Sequence, residues 1–235
     1  MLLGFDPLYF ILVIPCIIIS VIAQYKVKST YKKYSQVRNT RGLTGAQAAQ
    51  EILAYYGITD VAIQMIGGTL TDNFNPKTRV ISLSEGVYNS TSIAAVGVAC
   101  HEAGHAAQYA ENYAPIKLRN TIIPICNIGS TISIPLILIG FFLASRVASV
   151  FSFLITIGIL LYATVFIFQL VTLPVEFNAS RRAIKVISEM NLLYDEEVSG
   201  AKKVLSAAAM TYVAAMLVSL ANLLRIMIRF SGRRN

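Results

Sequence analysis

The sequence predicts a mostly α-helical membrane protein, with about four transmembrane helices and one α+β domain that carries its chemistry on a helix. Apolar residues make up 55% of the 235-residue chain and charged residues only 14%, against roughly 25% charged in an ordinary soluble domain. The missing charge is concentrated in four long apolar stretches, and the segments between them have ordinary soluble composition. The remaining observation is the run His101-Glu102-Ala103-Gly104-His105, set in a capped helical pattern.

The first predicted span covers residues 8–23 (LYFILVIPCIIISVIA), with Pro15 as an expected kink. Its positive charges follow the apolar run and no small-residue cleavage site is evident, so it reads as an anchor and not as a signal peptide. Residues 24–121 form the soluble domain. Thr44 with Gln47 makes a capping box that opens a helix through LTGAQAAQEILAYYG and ends it at Gly57. Strand patterns follow over 61–66 and 79–83, separated by turn signals at Gly67-Gly68 and TDNFNP. The strand near 80–83 reads equally as an edge that holds an extended peptide or as a core strand. Asn89-Ser90-Thr91-Ser92 supplies N-caps for a helix over 92–109, with the histidine motif in its second half.

Two further spans are expected over 122–144 and 148–173, joined by a tight turn around Ala144-Ser145-Arg146-Val147. Residues 174–206 hold a polar helix beginning after Pro174, then a second helix start marked by Asp195, Glu196 and Glu197. The last apolar segment, 207–228, carries Thr211, Ser219 and Asn222, which fits packing inside a bundle as well as lipid exposure. No repeat or low-complexity segment interrupts this order.

The net charge of +8 comes from basic residues that flank the spans, such as Lys26, Lys28, Lys32 and Lys33 after the first and Arg225, Arg229, Arg233 and Arg234 at the last. Nucleic-acid recognition needs basic residues interleaved with aromatics on one surface, and that class is excluded. The expected partner is the lipid bilayer. With four spans, the 24–121 and 174–206 segments share one side and carry 15 of the 20 Lys and Arg, which predicts a cytoplasmic catalytic side. The basic C-terminus opposes that count unless the last segment is a buried or re-entrant hairpin. Cys16, Cys100 and Cys126 form no CxxC pair or disulfide framework, and Cys100 reads as a small buried filler. None of the four apolar stretches contains an acidic residue, which argues against a channel or transporter.

On a helix, HExxH places its histidines at i and i+4, so both imidazoles reach one ion. Glu102 lies on an adjoining face, within reach of a metal-held water, as a general base. Ala103 and Gly104 leave room for metal and substrate. The competing reading is a pair of core histidines beside a buried glutamate, which carries the cost of an unpaired carboxylate on an apolar face. Both histidines of the chain lie in the motif, so a third protein ligand has to be a carboxylate. Glu176, where the third span emerges, is the first choice. Glu111 is its rival, six residues after His105, but the metzincin pattern needs a glycine where this chain has Gln108. Tyr88, Arg181, Arg182 and Tyr194 are unranked candidates for stabilising an oxyanion.

The blocks LTGAQAAQEILAYYGI, GGTLTDNFNPKTRVISLSEGVYNSTSIAAVGVACHEAGHAAQ and LPVEFNASRRA occur in that order. They resemble the bacterial membrane zinc metallopeptidases called YugP over nearly the whole chain. More distantly, the layout is similar to the HtpX heat-shock protease and the CAAX prenyl protease. The resemblance implies a zincin-like fold of the gluzincin type and one Zn²⁺ held by His101, His105 and Glu176. It also implies Glu102 as catalytic base and a multi-pass place in the bacterial plasma membrane. Two places depart from the pattern. Asn73, Phe74 and Asn75 stand in a loop that commonly reads LTDHYDP, and Ser180 stands where gluzincins often carry an aspartate that orients a histidine. The expected function is metalloendopeptidase cleavage of peptides or membrane proteins, through Glu102-assisted attack of a zinc-bound water. The alternative is a catalytically silent membrane scaffold with a structural zinc site.

Overall fold

The computed structural model describes residues 6–143 and 148–231. Four long helices dominate it: α1 (Ile14–Ser35), α5 (Ala114–Leu143), α6 (Ala148–Glu189) and α7 (Asp195–Ser231). Between α1 and α5 lie α2 (Gly45–Tyr55), β1 (Ala62–Ile66), β2 (Asn73–Asn75), β3 (Val80–Ser84), α3 (Glu85–Tyr88) and α4 (Ile93–Ala110). Among the described residues, four helical stretches are long and apolar enough to cross a membrane: Tyr9–Ser35, Ala114–Gly140, Phe153–Glu189 and Asp195–Phe230. The chain is mostly helical, with one small sheet.

It divides into two compact units, one of 1–22, 118–173 and 212–235, the other of 23–117 and 174–211. In the first unit, large apolar side chains stand outward, with Ile11 68%, Phe153 63% and Leu160 62% exposed. Such surface is unfavourable in water and ordinary in lipid. The irregularity expected at Pro15 is a π-helical turn over Tyr9–Val13, closed by the Ile14 N–H on the Tyr9 carbonyl. Gly129 admits the backbone of α6, since a Cβ there would lie 2.6 Å from the Leu161 carbonyl oxygen. Asp6 accepts from Arg225 Nε at 2.9 Å and Arg229 Nη1 at 2.7 Å.

The last helix corrects one expectation and sharpens another. Among the described residues it runs unbroken to Ser231, with no re-entrant hairpin in the last apolar segment. Two of the C-terminal arginines are instead matched by Asp6. Arg146 with its turn, Arg233 and Arg234 lie outside the described residues. Helix α6 does not restart after Pro174 but carries it in its interior. Proline in a helix interior removes one ladder N–H and crowds the carbonyl four residues before it, and the buried packing of Val175, Ala179 and Ala183 in the turns that follow offsets that cost.

In the second unit the sheet has the order β1-β3-β2, with β1 parallel and β2 antiparallel to β3. The strand near 80–83 is therefore central and not an edge. Its residues Ile81 to Ser84 are buried, as a strand paired on both sides requires. Residues 73–75, read as turn from sequence, form the short edge strand β2, with Phe74 opposite Ile81. Helix α2 has both halves of the capping box at Thr44 and Gln47, and it ends where Gly57 takes φ +66°. The core gathers Ile52 and Leu53 of α2, Ile81 and Leu83 of β3, Val96, Ala99 and Ala103 of α4, and Val186 and Ile187 of α6.

Candidate metal centre

Ser92 caps α4 by accepting the Ala95 N–H at 3.1 Å. More than half of the helix is Ala, Gly or Cys, and Ala94, Ala95, Ala99, Ala103 and Ala107 are fully buried. Small side chains let a helix sit deep in the core with a neighbour close against it. The neighbour is the Val175-Ala179-Ala183 stripe of α6, also fully buried. The tightest point is Gly104, where a Cβ would stand 2.7 Å from the Ala179 carbonyl oxygen. Glycine inside the motif is thus a requirement of helix approach. That approach is what carries Glu176 to the histidines.

His101 and His105 lie one turn apart on α4, with rings 4.6 Å between centroids and 80° between planes. Their Nε2 atoms are 3.3 Å and 3.6 Å from the same oxygen, Oε2 of Glu176. One ligand atom from each of the three residues lies within 4.8 Å of the others. Glu176 is 2% exposed and His105 8%, while His101 keeps partial access to solvent. Such a cluster is a pocket of lone pairs facing a carboxylate, open on the His101 side.

The ring nitrogens that face away from Glu176 are also engaged. His105 Nδ1 lies 3.0 Å from Oε1 of the fully buried Gln108. The Gln108 amide has one orientation that satisfies it, with Nε2 donating to the Val175 carbonyl at 2.7 Å and to Asn178 Oδ1 at 2.9 Å. Its Oε1 therefore accepts from His105 Nδ1–H, which leaves Nε2 as the ring's metal-binding atom. Ser180 Oγ sits 3.1 Å from His101 Nδ1, the place where the gluzincin aspartate was expected. Two imidazoles and one carboxylate, each imidazole oriented from behind, are donor types that zinc takes, and together they could hold a metal ion. The residues fit the ion.

Burial works against a charged His105 ring, but the hydrogen bond to Glu176 and the charges of Glu102 and Glu176 outweigh it and raise its pKa. A proton or a metal ion at Nε2 answers that field, and a metal answers it at both imidazoles at once. Glu102 is buried beside His101 at 9% exposure. Cys100 is buried and its thiol pKa is pushed up by burial alone, so it is inert filler.

Of the sequence candidates, His101, His105 and Glu176 converge. Glu111 does not, because it accepts from Arg182 Nη1 at 2.6 Å. Arg182 also donates from Nε to Asn178 Oδ1 at 2.8 Å, so its charge serves this network. Arg181 and Tyr194 are exposed, and Tyr88 packs partly buried against the core. Sequence reasoning missed Gln108 as an orienting group. The signal was present, since Gln108 lies three residues after His105 and shares its helix face.

The family described as "Putative neutral zinc metallopeptidase" matches residues 9–231. The "Putative membrane protease YugP" of Bacillus subtilis (strain 168) is 46% identical over 227 residues, covering 96% of this chain and 98% of that protein. No solved structure matches the chain. A match over nearly the whole length, joined to this donor set, establishes that the chain belongs to the family described as "Putative neutral zinc metallopeptidase".

Proposed function

We propose that this chain is a membrane-integrated, zinc-dependent endopeptidase of the gluzincin type. His101, His105 and Glu176 hold one Zn²⁺, and Glu102 is the general base. The observation that carries this reading is the convergence of two imidazole Nε2 atoms on one buried carboxylate oxygen, at 3.3 Å and 3.6 Å. A bound zinc supplies a Lewis acid for the scissile carbonyl and for the attacking water. Glu102 takes the proton of that water on a carboxylate oxygen and delivers it to the leaving amine nitrogen. Gln108 and Ser180 hold the imidazoles from behind. Strand β2 packs beside α4, with the Phe74 ring 6.3 Å from that of Tyr109. Among the described residues its outer edge pairs with no strand, and backbone pairing there can hold an extended peptide.

The substrates are membrane proteins or unfolded segments beside the bilayer, a reading supported by the four apolar helices of the same chain. The catalytic side is the cytoplasmic side of the plasma membrane, supported by 15 of 20 Lys and Arg in the 24–121 and 174–206 segments.

The test is zinc content and casein or peptide cleavage, for detergent-purified wild type beside Glu102→Gln and Glu176→Ala. Wild type is expected to hold one zinc per chain and to cleave. Glu102→Gln keeps the zinc and loses cleavage by about 10²–10⁴-fold, while Glu176→Ala loses both. Cleavage by Glu102→Gln at the wild-type rate would remove Glu102 as base or assign the activity to a contaminant. Full zinc retention in Glu176→Ala would remove that ligand.

A further inference from the structure

The second unit contains another concave site, between α1 and α7, that shares no residue with the metal centre. Lys26, Thr30 and Lys33 recur at i, i+4 and i+7 on α1, one face of a helix. On α7, Ser199, Lys202, Lys203 and Ser206 form the facing row. The rows border a groove of about 620 Å³. One end is closed where Tyr34 fits against Gly200, since a Cβ there would lie 2.8 Å from the Tyr34 ring. The groove is lined by four lysines and no acidic residue. Among the described residues, no carboxylate lies within ion-pair distance of any of the four. Like charges gathered round one concavity repel each other, and an anion seated among them removes the repulsion. The hydroxyls of Thr30, Ser199 and Ser206 add neutral donors suited to phosphate oxygens.

The chain on either side of the groove identifies the anion's source. Along α1, Lys26 follows Ala23, the end of the first apolar run, by three residues, about 4.5 Å. Along α7, Lys203 precedes Ala207, the start of the last apolar run, by four residues, about 6 Å. The headgroup layer of each leaflet is roughly 5–7 Å thick. Ala207 and Met210 then continue the lining with apolar side chains. Phosphate-level charge and hydroxyls giving way to apolar surface is the profile of a phospholipid.

We propose that the α1–α7 groove is a binding site for the phosphate-bearing headgroup of an anionic phospholipid. Lys26 and Lys203 grip the headgroup from the two helices, and Met210 meets the first carbons of the acyl chain.

The test uses the full chain in detergent and counts bound lipid by native mass spectrometry. Phosphatidylglycerol and phosphatidylcholine are offered at equal mole fraction, at about 0.15 M salt, where isolated exposed charges are screened. Phosphatidylglycerol is expected to be retained over phosphatidylcholine. The double variant Lys26→Gln/Lys203→Gln should lower that retention by about tenfold or more. Lys28→Gln/Lys32→Gln removes the same charge from α1 outside the groove and should lower it by less than about twofold. The substituted side chains are exposed, and unchanged melting temperatures in phosphatidylcholine check that both variants fold. Equal losses in the two variants would reduce the effect to diffuse surface attraction and overturn the site. Displacement of the lipid by millimolar inorganic phosphate would make it a free-phosphate site, and equal retention of phosphatidylcholine would remove the anion requirement.

Discussion

At the scale of single residues, the His101, His105 and Glu176 cluster depends on atoms that lie behind it. Gln108 is held by three hydrogen bonds and fixes which nitrogen of His105 is available. Replacing it by Leu removes the acceptor behind His105 and leaves the Val175 carbonyl without that donor. Zinc affinity is expected to fall about 10–100-fold, measured by competition with a zinc indicator, with helicity unchanged. An unaltered affinity would mean that the ring is oriented by packing alone. Much of this scale is legible in sequence: two histidines one turn apart announce a shared ligand, and their scarcity points to a carboxylate. The place of Gln108 on the His105 face was legible in sequence, but the bonds that fix its amide were not, because Val175 and Asn178 lie 67 and 70 residues away. Glu111 looked like a ligand by spacing, and only the approach of Arg182 shows where its charge is matched.

Among elements, the decisive contact is α4 on α6 at Gly104. Gly104→Ala places a methyl against a backbone carbonyl that no rotamer change can move, so one helix has to shift. A loss of roughly 1–3 kcal/mol in stability is expected, read as a lower melting temperature, together with weakened zinc binding as Glu176 moves with its helix. Retention of full zinc affinity would separate helix approach from ligand placement. Thr44→Ala, which removes one half of the capping box, should cost about 1 kcal/mol without altering zinc content. Capped helices were legible because their signals are local. Strand β2 was not, because three residues acquire strand geometry only through pairing with β3. The continuity of α6 was hidden for a related reason: Pro174 is a local stop signal, and tertiary packing overrides it.

For the molecule as a whole, four apolar helices and the charge distribution decide placement. A Lys77→Cys variant, in a background with Cys16, Cys100 and Cys126 replaced, tests the cytoplasmic reading with a membrane-impermeant thiol reagent. Labelling is expected only after cells are permeabilised; labelling of intact cells would put the 24–121 segment outside. Removal of zinc by a chelator should lower the melting temperature, since an ion at 100 times its Kd stabilises by about 2.7 kcal/mol. Apolar runs made the helix count legible from composition. The pairing of Asp6 with Arg225 and Arg229 was not, because it joins residues 219 and 223 positions apart.

The chain contains two histidines and both stand in the candidate metal centre, which gives the site its own spectroscopic channel. Selective ¹⁵N labelling of histidine yields four ring-nitrogen resonances, all from this one cluster. The Gln108 contact assigns the hydrogen-bearing nitrogen of His105 to Nδ1. Titration with Zn²⁺ or Cd²⁺ should therefore displace the Nε2 resonances far more than their Nδ1 partners, reporting ligation, tautomer and affinity without a substrate.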